Sequence, residues 1–157
     1  MTNHPPSQLC NRLLGMIPAT ELQQIHSHLE TVELKRGETV QEIGKTIDFV
    51  YFPLRCILSA LNTMADGKVI EAATIGYEGA SGISVLLEVP DSIHRVIAQA
   101  HGASLRIRAD VLKRKAVENA SLRKRLLQYL IISLLKSPHR SPAMVCILSK
   151  RDAAVGC

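Results

Sequence analysis

The stretch of this chain best equipped for chemistry is Gly76-Tyr77-Glu78-Gly79-Ala80-Ser81-Gly82, followed by the apolar Ile83-Ser84-Val85-Leu86-Leu87. Three closely spaced glycines open backbone angles closed to other residues and let a ligand approach the main chain. Backbone N–H groups leading into a short helix suit an anion, a phosphate above all. The segment could therefore cradle a phosphate. The competing reading is mechanical: the same glycines turn a tight corner in a small β domain.

Other reactive side chains do not assemble into a site. Cys10, Cys56, Cys146 and Cys157 lack the paired spacing of a zinc site, and free thiols of a cytoplasmic protein are the expectation. An iron–sulfur cluster needs several suitably placed thiolates, and Cys10 is the one cysteine near the N-terminus. His26 and His28 lie about 200° apart on a helix and cannot share a metal. His94 and His101 flank an expected strand and read as ordinary polar residues rather than haem ligands. With no Ser/His/Asp or Cys/His set in a recognisable motif and no outstanding carboxylate pair, neither enzyme activity nor a metal site is expected.

The chain's 157 residues suit one domain with a real core. Its longest apolar run, "LLQYLIISLL", is shorter than the roughly 18 residues of a membrane span, and the N-terminus does not read as a secretory signal. Residues 1–105 hold 7 Lys/Arg against 11 Asp/Glu, a net of −4, while residues 106–157 hold 12 against 3, a net of +9. Such a division fits either an anionic partner for the C-terminal half or a solvated helix face.

The elements that must position these residues follow from period and punctuation. "IPATELQQIHSHLETVEL" reads as a short amphipathic helix after Pro18, with Thr20 as its cap. From Thr31 to about Ile107, runs of four to seven residues rich in Val, Ile, Phe and Tyr alternate with turns such as "KRGE" and "MADG". Intervals this short leave no room for crossover helices, so an antiparallel barrel or jelly roll is predicted. Helical period returns in "RADVLKRKAVENA" and in "SLRKRLLQYLIISLLKS", the latter with Ser121 as cap. The stripe Leu122, Leu126, Leu127, Leu130 and Leu134 predicts a helix that must bury its apolar face, part of it against its own barrel and the rest against a second copy of itself, so these leucines are the expected dimer interface.

In order and spacing, "LLGMIPATELQQIHSHLETVELKRGETVQEIGKTIDFVYFP", "DGKVIEAATIGYEGASG" and "ASLRIRADVL" resemble the sensor domain of CRP/FNR-type bacterial transcription regulators. The resemblance covers about Leu13 to Leu135. It implies a mainly β fold with flanking helices, a double-stranded β-helix or jelly-roll-like β-roll, followed by a long helix that pairs two subunits. Residues 1–118 would be the β-roll sensor domain with its N-terminal helix, 119–136 the dimerisation helix, and 137–157 an irregular tail. The implied effector cassette is Gly76, Gly79, Ser81, Gly82 and Arg95, with a small-molecule effector as ligand and DNA as a partner of full-length relatives. No cofactor is certain. A cyclic nucleotide is possible but disfavoured: Ile83 stands where binders of this fold carry a ribose-binding glutamate, Val96 follows Arg95 where they carry Ser or Thr, and Glu78 adds a negative charge. The functional expectation is the effector-sensing and dimerising part of such a regulator, truncated before its DNA-binding domain. The alternative is a stand-alone cyclic-nucleotide-binding module.

After about Lys136 the resemblance stops, and the remaining residues, with Pro138 and Pro142, leave no room for a helix-turn-helix. Permitted codons for Ser141 to Gly156 can be chosen so that another frame continues the family pattern, which predicts a frameshift near Lys136. The gene's nucleotide sequence checks this. An alternative frame encoding two more helices and their turn is expected, and its absence would refute the idea.

Overall fold

The computed structural model describes residues 11–136. The 137–157 tail and the frameshift expectation attached to it lie outside those residues. Helices α1 (Arg12–Gly15) and α2 (Ala19–His26) precede seven strands: β1 (Glu30–Leu34), β2 (Thr39–Gln41), β3 (Phe49–Pro53), β4 (Ile57–Thr63), β5 (Val69–Ile75), β6 (Arg95–Ala100) and β7 (Gly102–Arg108). A short 3-10 helix, Ile83–Leu87, interrupts the strands, and helices α3 (Ala109–Glu118) and α4 (Ala120–Lys136) follow them. The strands form two antiparallel sheets, ordered β1-β7-β3 and β2-β6-β4-β5. This is the predicted β-roll with flanking helices.

The three-stranded sheet is the middle layer, and its pattern explains the unbroken apolar run of β3. Val50, Phe52, Leu105 and Ile107 point to one face, where they join Leu14, Leu22, Ile25, Leu112, Leu122 and Leu126 from the helices. Tyr51, on the opposite face, joins Leu34, Leu58, Ala60, Val96 and Ala98 between the sheets. A strand covered on both faces loses the polar half of the usual alternation.

Local signals held for strands better than for helix ends. Thr20 does not cap α2; Pro18 occupies that position without a side-chain bond, and its fixed φ suits the entry. Asn119 rather than Ser121 caps α4, its Oδ1 accepting from the N–H groups of Ser121 and Leu122, each at 3.1 Å. Its extended backbone separates α3 from α4. Asn11, which the sequence reading passed over, caps α1 by accepting from Leu14 N–H at 3.1 Å. The same side chain donates to the carbonyls of Pro53 and Gly79, both at 2.9 Å, and is fully buried.

Helix α4 is the largest departure from expectation. Leu122 and Leu126 are 0% exposed within the chain itself, packed into the helix–sheet core, and so cannot serve a partner. Leu127 and Leu130 are half-buried against that core. The well-exposed apolar residues of the helix are Ile131, Ile132 and Leu135. The leucine stripe thus divides between an inner face and an outer one, because the helix is apolar on both.

One tyrosine fastens α4 to the glycine corner. The Tyr129 hydroxyl accepts from Ala80 N–H at 3.2 Å, and a Cβ on Gly79 would run into that same hydroxyl. Gly82 has φ +92°, and a Cβ there would lie 2.6 Å from Gln41 Nε2. Gly79→Val and Gly82→Val are each expected to destabilise the domain by about 1–3 kcal/mol, and Tyr129→Phe by about 1 kcal/mol. Thermal unfolding of the three variants checks this; unchanged melting of both glycine variants would contradict the packing described.

Candidate effector cleft

Between α4 and the four-stranded sheet lies a cleft of about 950 Å³. The Gly76–Gly82 corner forms one end of it, with β4, β5 and β6 on one side and the Arg125, Tyr129, Ile132 and Lys136 face of α4 on the other. Those helix positions recur every three or four residues, so they share a face. The walls are chiefly small and aliphatic, among them Ala60, Ala73, Ile75, Ile83, Ile93 and Val96. A concave apolar volume of this size with few polar groups is the usual form of a small-molecule site.

The corner's own hydrogen bonds bear on the two readings of the glycines. Gly76 N–H donates to Glu78 Oε1 at 3.0 Å, and Gly79 N–H to the Gly76 carbonyl at 3.1 Å. Ala80 N–H is held by Tyr129, and Ser81 N–H donates to the Tyr51 carbonyl at 2.9 Å. Four N–H groups that could have cradled a phosphate are taken up inside the chain. Gly79 and Gly82 are also closely packed, against Tyr129 and against Gln41 and Ile47.

Ser81 is the exception that points to a ligand. It lines the cleft, it is 2% exposed, and its Oγ is buried without a hydrogen-bond partner. An orphaned buried hydroxyl costs about 1–3 kcal/mol, and a ligand atom that bonded it would recover that cost.

Arg95 is not brought into the cleft. Successive strand residues point to opposite faces: Val96 lines the cleft, while Arg95 turns outward, its Nε 2.9 and 3.1 Å from the two oxygens of Glu42. That bond holds the Glu42 carboxyl below its ordinary pKa and raises the Arg95 guanidinium. Of the five expected cassette residues, Ser81 and Gly82 line the cleft and Gly76 and Gly79 shape it; Arg95 is an outer ion pair.

The remaining titratable groups fall apart spatially. His94 lines the cleft with Nδ1 on Asn62 Oδ1, and burial lowers its pKa, which favours the neutral ring. His101 lies elsewhere, exposed, with Nε2 3.6 Å from Glu33. Cys56 is buried between the sheets, where desolvation raises its thiol pKa and disfavours the reactive thiolate. Burial likewise raises the pKa of Tyr129. Among the described residues no group of three or more His, Cys, Asp or Glu could hold a metal, and no helix is long and apolar enough to cross a membrane.

No protein-family model and no curated protein sequence matches the chain. Solved structures do. A protein from Geobacter metallireducens GS-15 described as cyclic nucleotide-binding superposes with a TM-score of 0.72 at 15% identity, covering 88% of this chain and 100% of that one. The sensor domain of the transcriptional regulator DNR from Pseudomonas aeruginosa gives 0.65 at 16% identity, covering 86% of this chain and 95% of that domain. The regulatory subunit of a cAMP-independent protein kinase A from Trypanosoma brucei gives 0.72 at 15% identity over 90% of this chain and 49% of that one. At such identities the likeness is one of architecture. The chain has the fold of the cyclic nucleotide-binding domain, a β-roll with flanking helices, which regulators of the CRP/FNR type share.

Proposed function

We propose that this chain is the effector-sensing and dimerising part of a CRP/FNR-type regulator. The observation that carries this reading is the double use of α4. Its C-terminal half walls the cleft, with Ile131 and Leu134 among the lining residues, while Ile131 and Leu135 remain 55% and 70% exposed. Leu127, Ile131 and Leu134 follow one another at four and three residues, the spacing of a two-helix seam. A ligand that moves the cleft wall therefore moves the seam, which is what a regulator needs to turn binding into a change between subunits. The dimer face so proposed keeps Leu127 and Leu134 of the original stripe, adds Ile131 and Leu135, and releases Leu122 and Leu126 to the core.

Burying each of these side chains fully is worth about 1.5–3 kcal/mol, enough in sum to favour pairing over exposure. Sedimentation at tens of micromolar is expected to show a dimer. Ile131→Glu with Leu135→Glu is expected to give a monomer whose unfolding temperature, measured dilute, stays near that of the wild type. A folded wild-type monomer at that concentration would overturn the dimer.

A stand-alone cyclic-nucleotide-binding module is the second reading, favoured by neighbours described in those terms. Against it stand Ile83, buried and apolar at the cleft, and Arg95, turned away from it. Ribose hydroxyls set against such a wall would lose their hydrogen bonds. Cyclic AMP and cyclic GMP are expected to leave the melting temperature unchanged. Saturable stabilisation at micromolar nucleotide would decide for the module, since ligand bound to the native state must raise its stability.

A further inference from the structure

Three positively charged side chains border the cleft, and two of them belong to its glycine end. Arg12 follows Asn11, whose amide holds the Gly79 carbonyl, and its own N–H donates to the Tyr77 carbonyl at 2.7 Å. Arg125 precedes Tyr129 by one turn of α4, and Tyr129 is fastened to Ala80. Both arginines line the cleft, and neither has an ion-pair partner among the described residues. Lys136 stands eleven residues further along the helix, about 16 Å away. The one acidic residue of the lining is Glu78, whose Oε1 is held by Gly76 N–H, and burial lowers the pKa of His94 on the sheet side.

The orphaned Ser81 hydroxyl belongs to that same end. Two unpaired guanidinium groups against one carboxylate make the end net positive, and a buried O–H offers a donor. Other walls of the cleft include Ala60, Ala73, Ile93 and Val96, which offer an apolar surface and no charge.

Resting on the effector-domain reading, we propose that the ligand is an amphipathic organic acid. Its apolar body lies between α4 and the four-stranded sheet. Its carboxylate lies at the glycine corner, accepting from the Ser81 hydroxyl under the charge of Arg12 and Arg125. The carboxylate is recognised by side chains, which is consistent with a corner where the N–H groups of Gly76, Gly79, Ala80 and Ser81 are already bonded. A nucleotide's sugar hydroxyls find no partners on Ala60, Ala73, Ile93 and Val96, whereas a hydrocarbon body needs none.

Isothermal titration of the full chain with decanoate, decan-1-ol and cyclic AMP tests this. Decanoate is expected to bind saturably, one per chain, at least about tenfold more tightly than the alcohol, the ratio a charge-assisted hydrogen bond supplies. Ser81→Ala, and separately Arg12→Gln with Arg125→Gln, are expected to shrink that ratio towards one, while Arg95→Gln leaves it unchanged. Ser81 keeps its backbone bridge to Tyr51 whatever its side chain, and the exposed arginine pair gives the same readout should the alanine variant melt early. Equal affinity for acid and alcohol, or a ratio unmoved by either variant, overturns the carboxylate assignment. Binding of the alcohol or of cyclic AMP without decanoate overturns it too, yet keeps the effector domain. Binding of none of the three counts against both.

Discussion

The cleft exists because α4 is held against the glycine corner at two levels. Leu122 and Leu126 anchor its first turns in the core, and Tyr129, one turn further on, reaches Ala80 N–H across the space that Gly79 leaves open. The aliphatic anchors supply most of the burial; the hydroxyl fixes register, because only one helix position can meet that N–H. Beyond Tyr129 the helix walls the cleft instead of filling it. Loosening the Tyr129 contact would therefore alter cleft width and outer seam together.

The same contact explains why a segment that looks built for phosphate is occupied otherwise. A glycine can serve a ligand or a neighbouring side chain by the same property, the absence of Cβ. Here Tyr129 has the space at Gly79, Glu78 has the N–H of Gly76, and Tyr51 pairs with Ser81. Among side chains, the corner offers a buried hydroxyl and two arginines without ion-pair partners among the described residues.

Much of this was legible in the chain. Seven strands lie where short apolar runs and turn residues put them, since those signals are local. Arg95 was misplaced because the glycine segment and a distant arginine say nothing about which way a strand residue faces; that depends on register against β4 and β2. Leu122 and Leu126 were assigned to a partner because a single sequence shows that a stripe must be covered, but not by what. Asn11 was legible in principle as an Asn before "RLLG", yet its two long-range carbonyls, 42 and 68 residues away, are set by tertiary packing alone.

Hydrogen–deuterium exchange of α4, read by peptide mass spectrometry across a dilution series, tests most directly that this helix belongs to the domain before it belongs to any dimer. Amides from about Leu122 to Leu130 are predicted to stay protected to the same degree from tens of micromolar down to nanomolar protein, since their burial is intramolecular. Protection of that segment that vanishes on dilution would contradict the account, because the helix would then depend on a second copy rather than on Leu122, Leu126 and Tyr129.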